Sequence, residues 1–289
     1  MTYECFDVAI NNQIAHITLN RPEKRNSMVP EFWTELPAIV RDIDDNARAR
    51  VIVISSTGPH FSAGMDLAAF SQNPELAESD GNSASIEKKT ERIRHGATFI
   101  DTASYFQESF SVLEDARIPV LAAIQGGCVG GGVDMVTACD MRYATADAFI
   151  CIQEINIGMT ADVGTFPRLV KLIPEGVVRE LAYTGRRMPA SEAKDAGLVN
   201  RVFDNQEAML TEVMAIAKEI AAKPPLAVYG SKRMINYARD HNTKDGLDYI
   251  AVWNASMLQA AEMQEAMQAN MEKRPGDFVE LPAKRKRRS

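Results

Sequence analysis

Apolar runs and helical repeats alternate along the first two thirds of this chain. "FDVAI" and "IAHITL" flank the turn-forming residues 11–13, which predicts a β-hairpin. The continuous apolar runs at 51–55 and 119–124 are typical of strands that are buried on both faces. Residues 30–46 and 100–113 repeat their apolar positions every three or four residues, which predicts helices. "MRYAT" and "AFICI" predict two further short strands, so this part of the chain is mixed α/β.

The pattern becomes mainly helical in the last third. "PASEAKDAG" predicts a helix with Pro189 near its start and Gly197 at its end. Beyond Phe203, helical repeats dominate to about Met271. The sequence therefore predicts three segments: an α/β core (1–205), a helical C-terminal region (206–280) and a disordered basic tail (281–289).

Charge and composition narrow the classes of partner. The chain is 46% hydrophobic and 25% charged, as in an ordinary globular protein. Its formal net charge is -7, although residues 284–288 carry five positive charges, so the body of the chain is strongly acidic. Such a body does not attract polyanions, and we expect no nucleic-acid partner. The longest uncharged run, 118–133, is too short and too rich in glycine for a membrane span.

The cysteines and the termini carry little signal. Cys5, Cys128, Cys139 and Cys151 form no CxxC pair, and no histidine cluster has metal-ligand spacing, so we expect a reduced, metal-free protein. The first residues lack the basic and apolar regions of a secretory signal, and no Ser-Lys-Leu ends the chain. These absences lead to the expectation of a cytoplasmic protein.

Five glycines within residues 126–132 mark the most unusual stretch of the chain. A dinucleotide fingerprint would need a glycine where Met135 stands, and both the P-loop Gly-Lys-Ser/Thr and the hydrolase GxSxG are missing. The glycines can serve close packing of a helix on a strand. Alternatively, they let a ligand oxygen approach the unpaired N–H groups at the start of a helix.

A second turn of the same kind favours the ligand interpretation. "SAGMD" follows the other buried strand, and each of the two turns ends in an acid, Asp66 or Asp134. Two N–H donors from two turns would form an oxyanion hole, which stabilises negative charge that develops on a carbonyl oxygen. Asp134 on its own is better explained as an acid in the first turn of a helix.

Two further acids suggest proton-transfer chemistry beside this hole. Glu154 and Asp162 lie in a stretch without any Lys or Arg between Arg142 and Arg168. Unpaired acids of this kind usually serve turns or helix caps. Three acids around a candidate oxyanion hole, however, favour acid–base catalysis.

Four motifs together are similar to those of a known family. "FSAGMDL", "PVLAAIQGGCVGGGVDMVTACDMRYA", "QEINIGMTADVGTFPRL" and "TGRRMPASEAKDAGLVNRVF" resemble the crotonase (enoyl-CoA hydratase/isomerase) superfamily over residues 4–278. Within it, the resemblance is strongest to the Δ3,5-Δ2,4-dienoyl-CoA isomerases. It implies a spiral of β-β-α units with a helical C-terminal region that assembles homotrimers or dimers of trimers. It also implies an acyl-CoA thioester substrate and no separate cofactor, since coenzyme A is part of the substrate.

The resemblance also implies a role for individual residues. The backbone N–H groups of Met65 and Gly131 would bind the thioester oxygen. The dienoyl-CoA isomerases place acids where this chain has Asp134, Glu154 and Asp162, whereas the hydratases have two glutamates and then a glycine. The implied reaction, in fatty-acid β-oxidation, moves a proton from C2 to C6 of a 3,5-dienoyl chain. From the sequence we assign Asp162 as the base and Glu154 as the acid, with Asp134 as a supporting acid near the thioester.

The CoA contacts implied by the resemblance involve two regions of the chain. The first comprises the backbone around Ala63, Gly64, Asp66 and Leu67 together with Lys24 in the "RPEKR" loop. The second is Lys273, which would reach the site of a neighbouring subunit. Each lysine is equally well explained as a solvated surface residue. Phe106 and Phe110 either line an acyl tunnel or belong to the core.

Three other functions are compatible with parts of the pattern. A 2-enoyl-CoA hydratase of the same superfamily is the nearest one, but Asp at 134 is one methylene shorter than the glutamate of that activity. A non-catalytic acyl-CoA-binding protein that works by assembly would not need the three acids. A glycosidase with two acids leaves both glycine turns unexplained.

Overall fold

The computed structural model describes residues 2–70 and 86–285. Its strands form two sheets, one of six strands and one of three. The strands are β1 (Phe6–Asn11), β2 (Ile14–Leu19), β3 (Val51–Ser56), β4 (Val120–Ile124), β5 (Gly127–Val129), β6 (Met141–Thr145), β7 (Phe149–Cys151), β8 (Met188–Pro189) and β9 (Arg201–Phe203).

The predicted hairpin opens the large sheet. β1 and β2 pair antiparallel, with Asn11 opposite Ile14. The turn between them has two residues, Asn12 and Gln13, whose φ angles are 50° and 65°. Positive φ at both turn residues matches the right-handed twist of the flanking strands, which is why such turns close hairpins.

The remaining strands of the large sheet are parallel. Its order is β1-β2-β3-β4-β6-β9, and every pair after the hairpin is parallel. All residues of β3 and β4 are buried. Parallel sheets are covered on both faces, which explains why these two strands are continuous apolar runs.

Two strands of the small sheet directly follow strands of the large sheet along the chain. The order of the small sheet is β5-β7-β8, and β5 follows β4 after only two residues, while β7 follows β6 after three. After β3, Ser62 makes an isolated parallel bridge to Cys128 in β5. Successive turns of the chain thus add to both sheets side by side, which confirms the predicted spiral architecture.

The helices lie between and after these strands. They are α1 (Pro30–Asp45), α2 (Leu67–Phe70), α3 (Ile86–Asp115), α4 (Gly131–Ala138), α5 (Thr165–Leu169), α6 (Glu175–Thr184), α7 (Ala190–Asp195), α8 (Gln206–Ala221), α9 (Pro225–Asp240), α10 (Thr243–Met257) and α11 (Ala260–Glu272). The predicted helical C-terminal region is therefore present. None of the helices within residues 2–70 and 86–285 combines the length and apolar character that a bilayer crossing needs.

The helix α3 is longer than the sequence pattern predicts. It begins at Ile86 rather than near Ile100. Residues 96–100 are all exposed, so this part of the helix has no buried face that an apolar repeat could report. The residues between 70 and 86 lie outside the described part of the chain.

The core has an aromatic cluster between α1 and α3. Phe32 and Trp33 of α1 and Phe110 of α3 are buried and in ring contact with one another. On the other side of the large sheet, α8 packs Met209 and Val213 against a second buried cluster. The sheet is thereby covered on both faces, as its apolar strands require.

The end of the described chain lies against the body. Leu281 is buried in the main core, and the Arg117 side chain donates a hydrogen bond of 2.8 Å to the carbonyl oxygen of Pro282. Lys284 pairs with Asp44 and Asp45. Residues 281–285 therefore lie against the body and are not part of the disordered segment predicted from composition. Composition does not reveal these contacts, because their partners lie far away in sequence. The last four residues of that segment lie outside the described chain.

Candidate active site

Backbone contacts bring the two glycine turns together. The Ser62 N–H donates to the Gly127 carbonyl at 3.1 Å, and the Val129 N–H donates to the Ser62 carbonyl at 3.0 Å. A Cβ atom at Gly64 would lie 2.8 Å from the Val129 oxygen and 3.2 Å from the Gly131 nitrogen. Gly64 also has a φ of 81°. Only glycine fits between the turns, because a side chain would collide with fixed backbone atoms.

Two backbone N–H groups at this junction are available to a ligand. Gly131 is the first residue of α4, and its N–H has no partner within the helix. The hydrogen bonds recorded among the described residues include none donated by the Met65 or Gly131 backbone nitrogen. The Met28 N–H donates to the Gly64 carbonyl at 2.8 Å, and the Asp66 backbone N–H donates to the Met28 carbonyl at 3.0 Å. These flanking bonds hold the Met65 peptide in place.

An apolar wall lies beside Gly131. A Cβ atom at Gly131 would lie 2.9 Å from the sulfur of Met28 and 3.8 Å from the Trp33 ring. The Trp33 ring is also 4.6 Å, centroid to centroid, from that of Phe106. Phe110 is fully buried and Phe106 only partly so. Phe110 is thus a core residue, while Phe106 borders the wall next to the glycine turn.

Asp134 is buried in the first turn of α4 and is 1% exposed. Its Oδ1 accepts two hydrogen bonds from Thr165, one from the backbone N–H at 2.6 Å and one from the hydroxyl at 2.7 Å. Burial raises the pKa of Asp134 to about 7, and the charges of Glu154 and Asp162 also raise it. The two hydrogen bonds from Thr165 lower this pKa. A carboxyl group with this pKa exchanges protons near neutral pH.

Glu154 lies directly against the glycine turn. It begins the short 3₁₀ helix Glu154–Ile157, and its Oε1 would lie 3.2 Å from a Cβ atom at Gly130. Its Oε2 is buried, and within the described residues no hydrogen bond is recorded for it. Burial, followed by the charge of Asp162, raises the pKa of Glu154. A buried carboxylate oxygen without a protein partner is suited to contact a ligand.

Asp162 completes a group of three acids. It is half-buried, and burial raises its pKa. The side chain of Gln107 on α3 donates a hydrogen bond of 2.7 Å to its backbone carbonyl. The charge of Asp162 raises the pKa values of both Glu154 and Asp134, so the three carboxyl groups share one electrostatic environment. Between the two loop acids, residues 155–160 are exposed.

Asp66 has a structural contact in addition to its predicted role. Its carboxylate accepts hydrogen bonds from the Ala69 N–H at 3.2 Å and from the Ser27 hydroxyl at 3.0 Å. These bonds lower its pKa, with the Ala69 N–H as the largest cause. Asp66 thereby holds the first turn of α2 onto the loop that precedes α1, while Leu67 remains exposed.

The predicted CoA contacts fall into two separate places. The Ala63 N–H donates to the Arg25 carbonyl at 2.9 Å, so the loop with the exposed Lys24 runs beside the first glycine turn. Lys273 is exposed and follows α11. Within the described part of the chain, no recorded hydrogen bond or ion pair joins Lys273 to this turn.

Thr165 is the site residue that the sequence patterns miss. It starts α5, 31 residues after the aspartate that it contacts. A threonine before an apolar helix looks like an ordinary helix start, so no local signal distinguishes it. As for metals, the described residues contain no group of three or more His, Cys, Asp or Glu side chains that could hold an ion.

Comparisons with known proteins agree on one family. The family model described as Enoyl-CoA hydratase/isomerase matches residues 9–100 and 86–281. Among solved structures, an enoyl-CoA hydratase from Bacillus anthracis superposes with a TM-score of 0.82 at 28% identity, covering 95% of this chain and 99% of that one. One from Geobacillus kaustophilus gives a TM-score of 0.80, also at 28% identity, covering 96% and 98%.

Curated relatives carry a more specific name. The mouse mitochondrial Δ(3,5)-Δ(2,4)-dienoyl-CoA isomerase is 44% identical over 94% of this chain and 81% of its own length. The peroxisomal enzyme of that name from Arabidopsis thaliana is 37% identical over 97% of this chain and 98% of its own length.

These names correct the expected compartment. The relatives from mouse, rat and human are mitochondrial, and that from Arabidopsis is peroxisomal, which points to an organelle rather than the cytoplasm. The cytoplasmic prediction was wrong because it depended on the absence of recognisable targeting signals. An absent signal carries no positive information about a compartment.

Proposed function

From the premise that this chain belongs to the enoyl-CoA hydratase/isomerase family, we propose that it isomerises 3,5-dienoyl-CoA to 2,4-dienoyl-CoA in fatty-acid β-oxidation. The observation that carries the proposal is the group of three buried or half-buried acids beside two joined glycine turns. The names of the relatives support the same activity.

The glycine turns bind the thioester. The N–H groups of Met65 and Gly131 donate to its carbonyl oxygen and stabilise the negative charge that this oxygen gains when C2 loses a proton. The start of α4 adds the partial positive charge of a helix N-terminus. The C2 proton of a bound thioester therefore becomes acidic enough for a carboxylate to remove.

Two acids move the proton along the acyl chain. The Glu154 carboxylate lies against the glycine turn through Oε1, while its buried Oε2 has no recorded hydrogen bond among the described residues. This carboxylate is therefore at the thioester end, and it takes the proton as the C2–H bond breaks. The electron pair spreads through the diene as far as C6. Asp162 donates a proton there, which forms the C6–H bond and leaves the 2,4-diene. This order exchanges the base and acid roles that were assigned from the sequence. The reason is that Glu154, and not Asp162, supplies the atom nearest to a Cβ position at Gly130, at 3.2 Å.

The other contacts concern the ends of the substrate. Asp134 supports the thioester end, close to the start of α4. Lys24 and the backbone of the first glycine turn contact the CoA moiety. The reaction needs no organic cofactor or metal, since the substrate itself carries the activating thioester.

Assembly completes the proposal. Large apolar side chains remain exposed on the last three helices, and they include Ile235, Leu247, Ile250, Val252 and Met267. Such faces are typical of subunit contacts. We therefore propose a homotrimer or a dimer of trimers in which Lys273 reaches the CoA site of a neighbouring subunit.

A direct comparison of two substrates tests the activity. The purified protein is offered 3,5-dienoyl-CoA and 2-enoyl-CoA in parallel, and ultraviolet spectra follow the conjugated 2,4-diene and the enoyl chromophore. We expect the diene to appear much faster than the enoyl group disappears. Faster hydration of 2-enoyl-CoA would replace the proposal with a hydratase, and binding without turnover of either would indicate a non-catalytic protein.

Substitution of the acids tests the mechanism. Asp162→Asn and Glu154→Gln keep size and shape, and each is expected to lower isomerisation by at least about 100-fold. The double variant should be little worse, because one proton path needs both ends. Acyl-CoA affinity should change little. Full activity in Asp162→Asn would contradict the proposed path.

A further inference from the structure

Thr165 makes an unusual pair of contacts with Asp134. Its backbone N–H and its hydroxyl both donate to the same carboxylate oxygen, Oδ1, at 2.6 Å and 2.7 Å. Thr165 and Asp134 are each 1% exposed, so water does not compete with these bonds. Hydrogen bonds to an ionised carboxylate are about twice as strong as neutral ones. The contact therefore affects the charge state of Asp134 as well as its orientation.

The contact also distinguishes the two oxygens of the carboxyl group. Oδ1 accepts two hydrogen bonds, which leaves little room for a proton of its own. Among the described residues, no hydrogen bond to Oδ2 is recorded, and this oxygen is therefore the one that can gain or lose a proton. A single rotamer with one defined proton-exchanging oxygen is what a positioned acid requires.

The surroundings of Asp134 otherwise favour its neutral form. Burial and the nearby charges of Glu154 and Asp162 all raise its pKa. Burial raises the pKa of the Cys128 thiol behind the turn, and the charges of Cys139 and Asp134 add to this rise.

Two arginines on elements next to α4 are engaged elsewhere. On α5, the Arg168 guanidinium pairs with Glu114 of α3 at 3.0 Å. Arg142, which follows α4, donates to the carbonyl oxygens of Val136, Cys139 and Leu198. Neither of these cations is recorded in an ion pair with Asp134 among the described residues. Thr165 therefore supplies the recorded contacts that stabilise the charged form.

We infer that Thr165 is a positioning residue for the proposed isomerisation, holding Asp134 as a carboxylate with Oδ2 as its proton-exchanging oxygen. The inference rests on the proposed function for its catalytic consequence, but the contact itself can be tested without turnover. Its signature is a change in the protonation of Asp134 when the hydroxyl alone is removed.

Three substitutions separate this role from general packing. Thr165→Val removes the hydroxyl and keeps the N–H, while Thr165→Ser keeps both donors. Thr137→Val is the matched control, because the Thr137 hydroxyl is also buried but donates to the backbone carbonyl of Asp134 at 2.9 Å. If Thr165→Val does not fold, Thr165→Ala removes the same donor with less steric demand.

An infrared titration measures the protonation of the Asp134 carboxyl directly. The carboxylic C=O band that is lost in Asp134→Asn identifies the residue, and its titration midpoint gives the pKa. We expect Thr165→Val to raise this midpoint by about one pH unit, the effect of losing one hydrogen bond to a charged group. Thr165→Ser and Thr137→Val should leave it in place. An unchanged midpoint in Thr165→Val would overturn the inference, whether or not the protein is an isomerase.

The pH dependence of turnover gives the second readout. The inference makes turnover follow the ionised fraction of Asp134. With midpoints of about 7 and about 8, Thr165→Val should therefore be roughly fivefold slower at pH 7 and nearly equal to the wild type at pH 9. In an Asp134→Asn background, Thr165→Val should lower turnover by less than about twofold, because the carboxylate on which it acts is absent. If Thr165→Val lowered turnover equally at every pH, or lowered it by the full fivefold in the Asp134→Asn background, its role would be merely structural. A wild type without dienoyl turnover would instead refute the proposed function.

Discussion

Asp134 should make the protein less stable at neutral pH than at acidic pH, and Asp134→Asn should remove that dependence. The native pKa of this carboxyl, about 7, lies above its ordinary value of 3.8 because the group is buried. The native state therefore binds more protons than the unfolded chain between about pH 4 and pH 7. Linkage then requires the free energy of unfolding to fall as the pH rises through this window.

The size of the effect follows from the two pKa values. Each factor of ten in proton affinity corresponds to about 1.4 kcal/mol. Ionisation of Asp134 then costs roughly 2 kcal/mol of native stability at pH 5 and roughly 4 kcal/mol at pH 8, relative to a neutral side chain. An asparagine has no such cost, and its oxygen can still accept both hydrogen bonds from Thr165.

Urea unfolding at fixed protein concentration measures this difference. The free energy of unfolding of Asp134→Asn minus that of the wild type should increase by about 2 to 3 kcal/mol between pH 5 and pH 8. Any change in hydrogen bonding that does not depend on pH cancels in this comparison. Thr137→Val serves as the control, because it alters a buried contact of the same helix without changing a titratable group.

A constant difference between the two proteins across this pH range would refute the reasoning. It would mean that Asp134 titrates near its ordinary value in the native state, in spite of its burial. A difference that increases toward acidic pH would contradict the sign of the predicted shift. In both cases Asp134 would not exchange protons near neutral pH.

Three further outcomes are expected. Gly131→Val should fold and lose about a hundred- to a thousandfold in turnover, as measured by diene formation, because the added side chain displaces Met28 and blocks the donor; full turnover would mean that the glycines serve packing alone. Arg142→Met should lower the free energy of unfolding in urea by about 3 kcal/mol, because three carbonyl oxygens each lose a hydrogen bond from the buried guanidinium; a value near zero would contradict this. Sedimentation at micromolar concentration should show a trimer or hexamer, and a monomer would exclude the proposed assembly.

Much of the fold can be predicted from the sequence because its elements have local causes. β3 and β4 are predicted to within one residue of their observed ends, because their continuous apolar runs reflect burial in a parallel sheet. The hairpin is predicted equally closely, because turn-forming residues separate its two strands. The helical C-terminal region was equally clear from its repeats. The start of α3 is not predicted, because residues 96–100 are exposed and show no apolar repeat.

The candidate site was only partly predictable. The glycines and the three acids stand out because each contradicts the character of the residues around it. Thr165 and the end of the chain do not stand out, because their contacts join residues far apart in sequence. Thr165 reaches Asp134 from the next helix, and Lys284 reaches Asp44 across the whole chain. Such contacts depend on the completed fold.

The separation between the acids and the N–H donors has a consequence for how this fold changes during evolution. Glu154 and Asp162 flank one exposed segment, whereas Gly64 and Gly131 are held together by backbone contacts. A replacement at either acid leaves the packing of the sheets intact, but a side chain at Gly64 does not. A lineage can therefore acquire a different reaction through single replacements beside this segment while it retains the backbone that we propose binds the thioester.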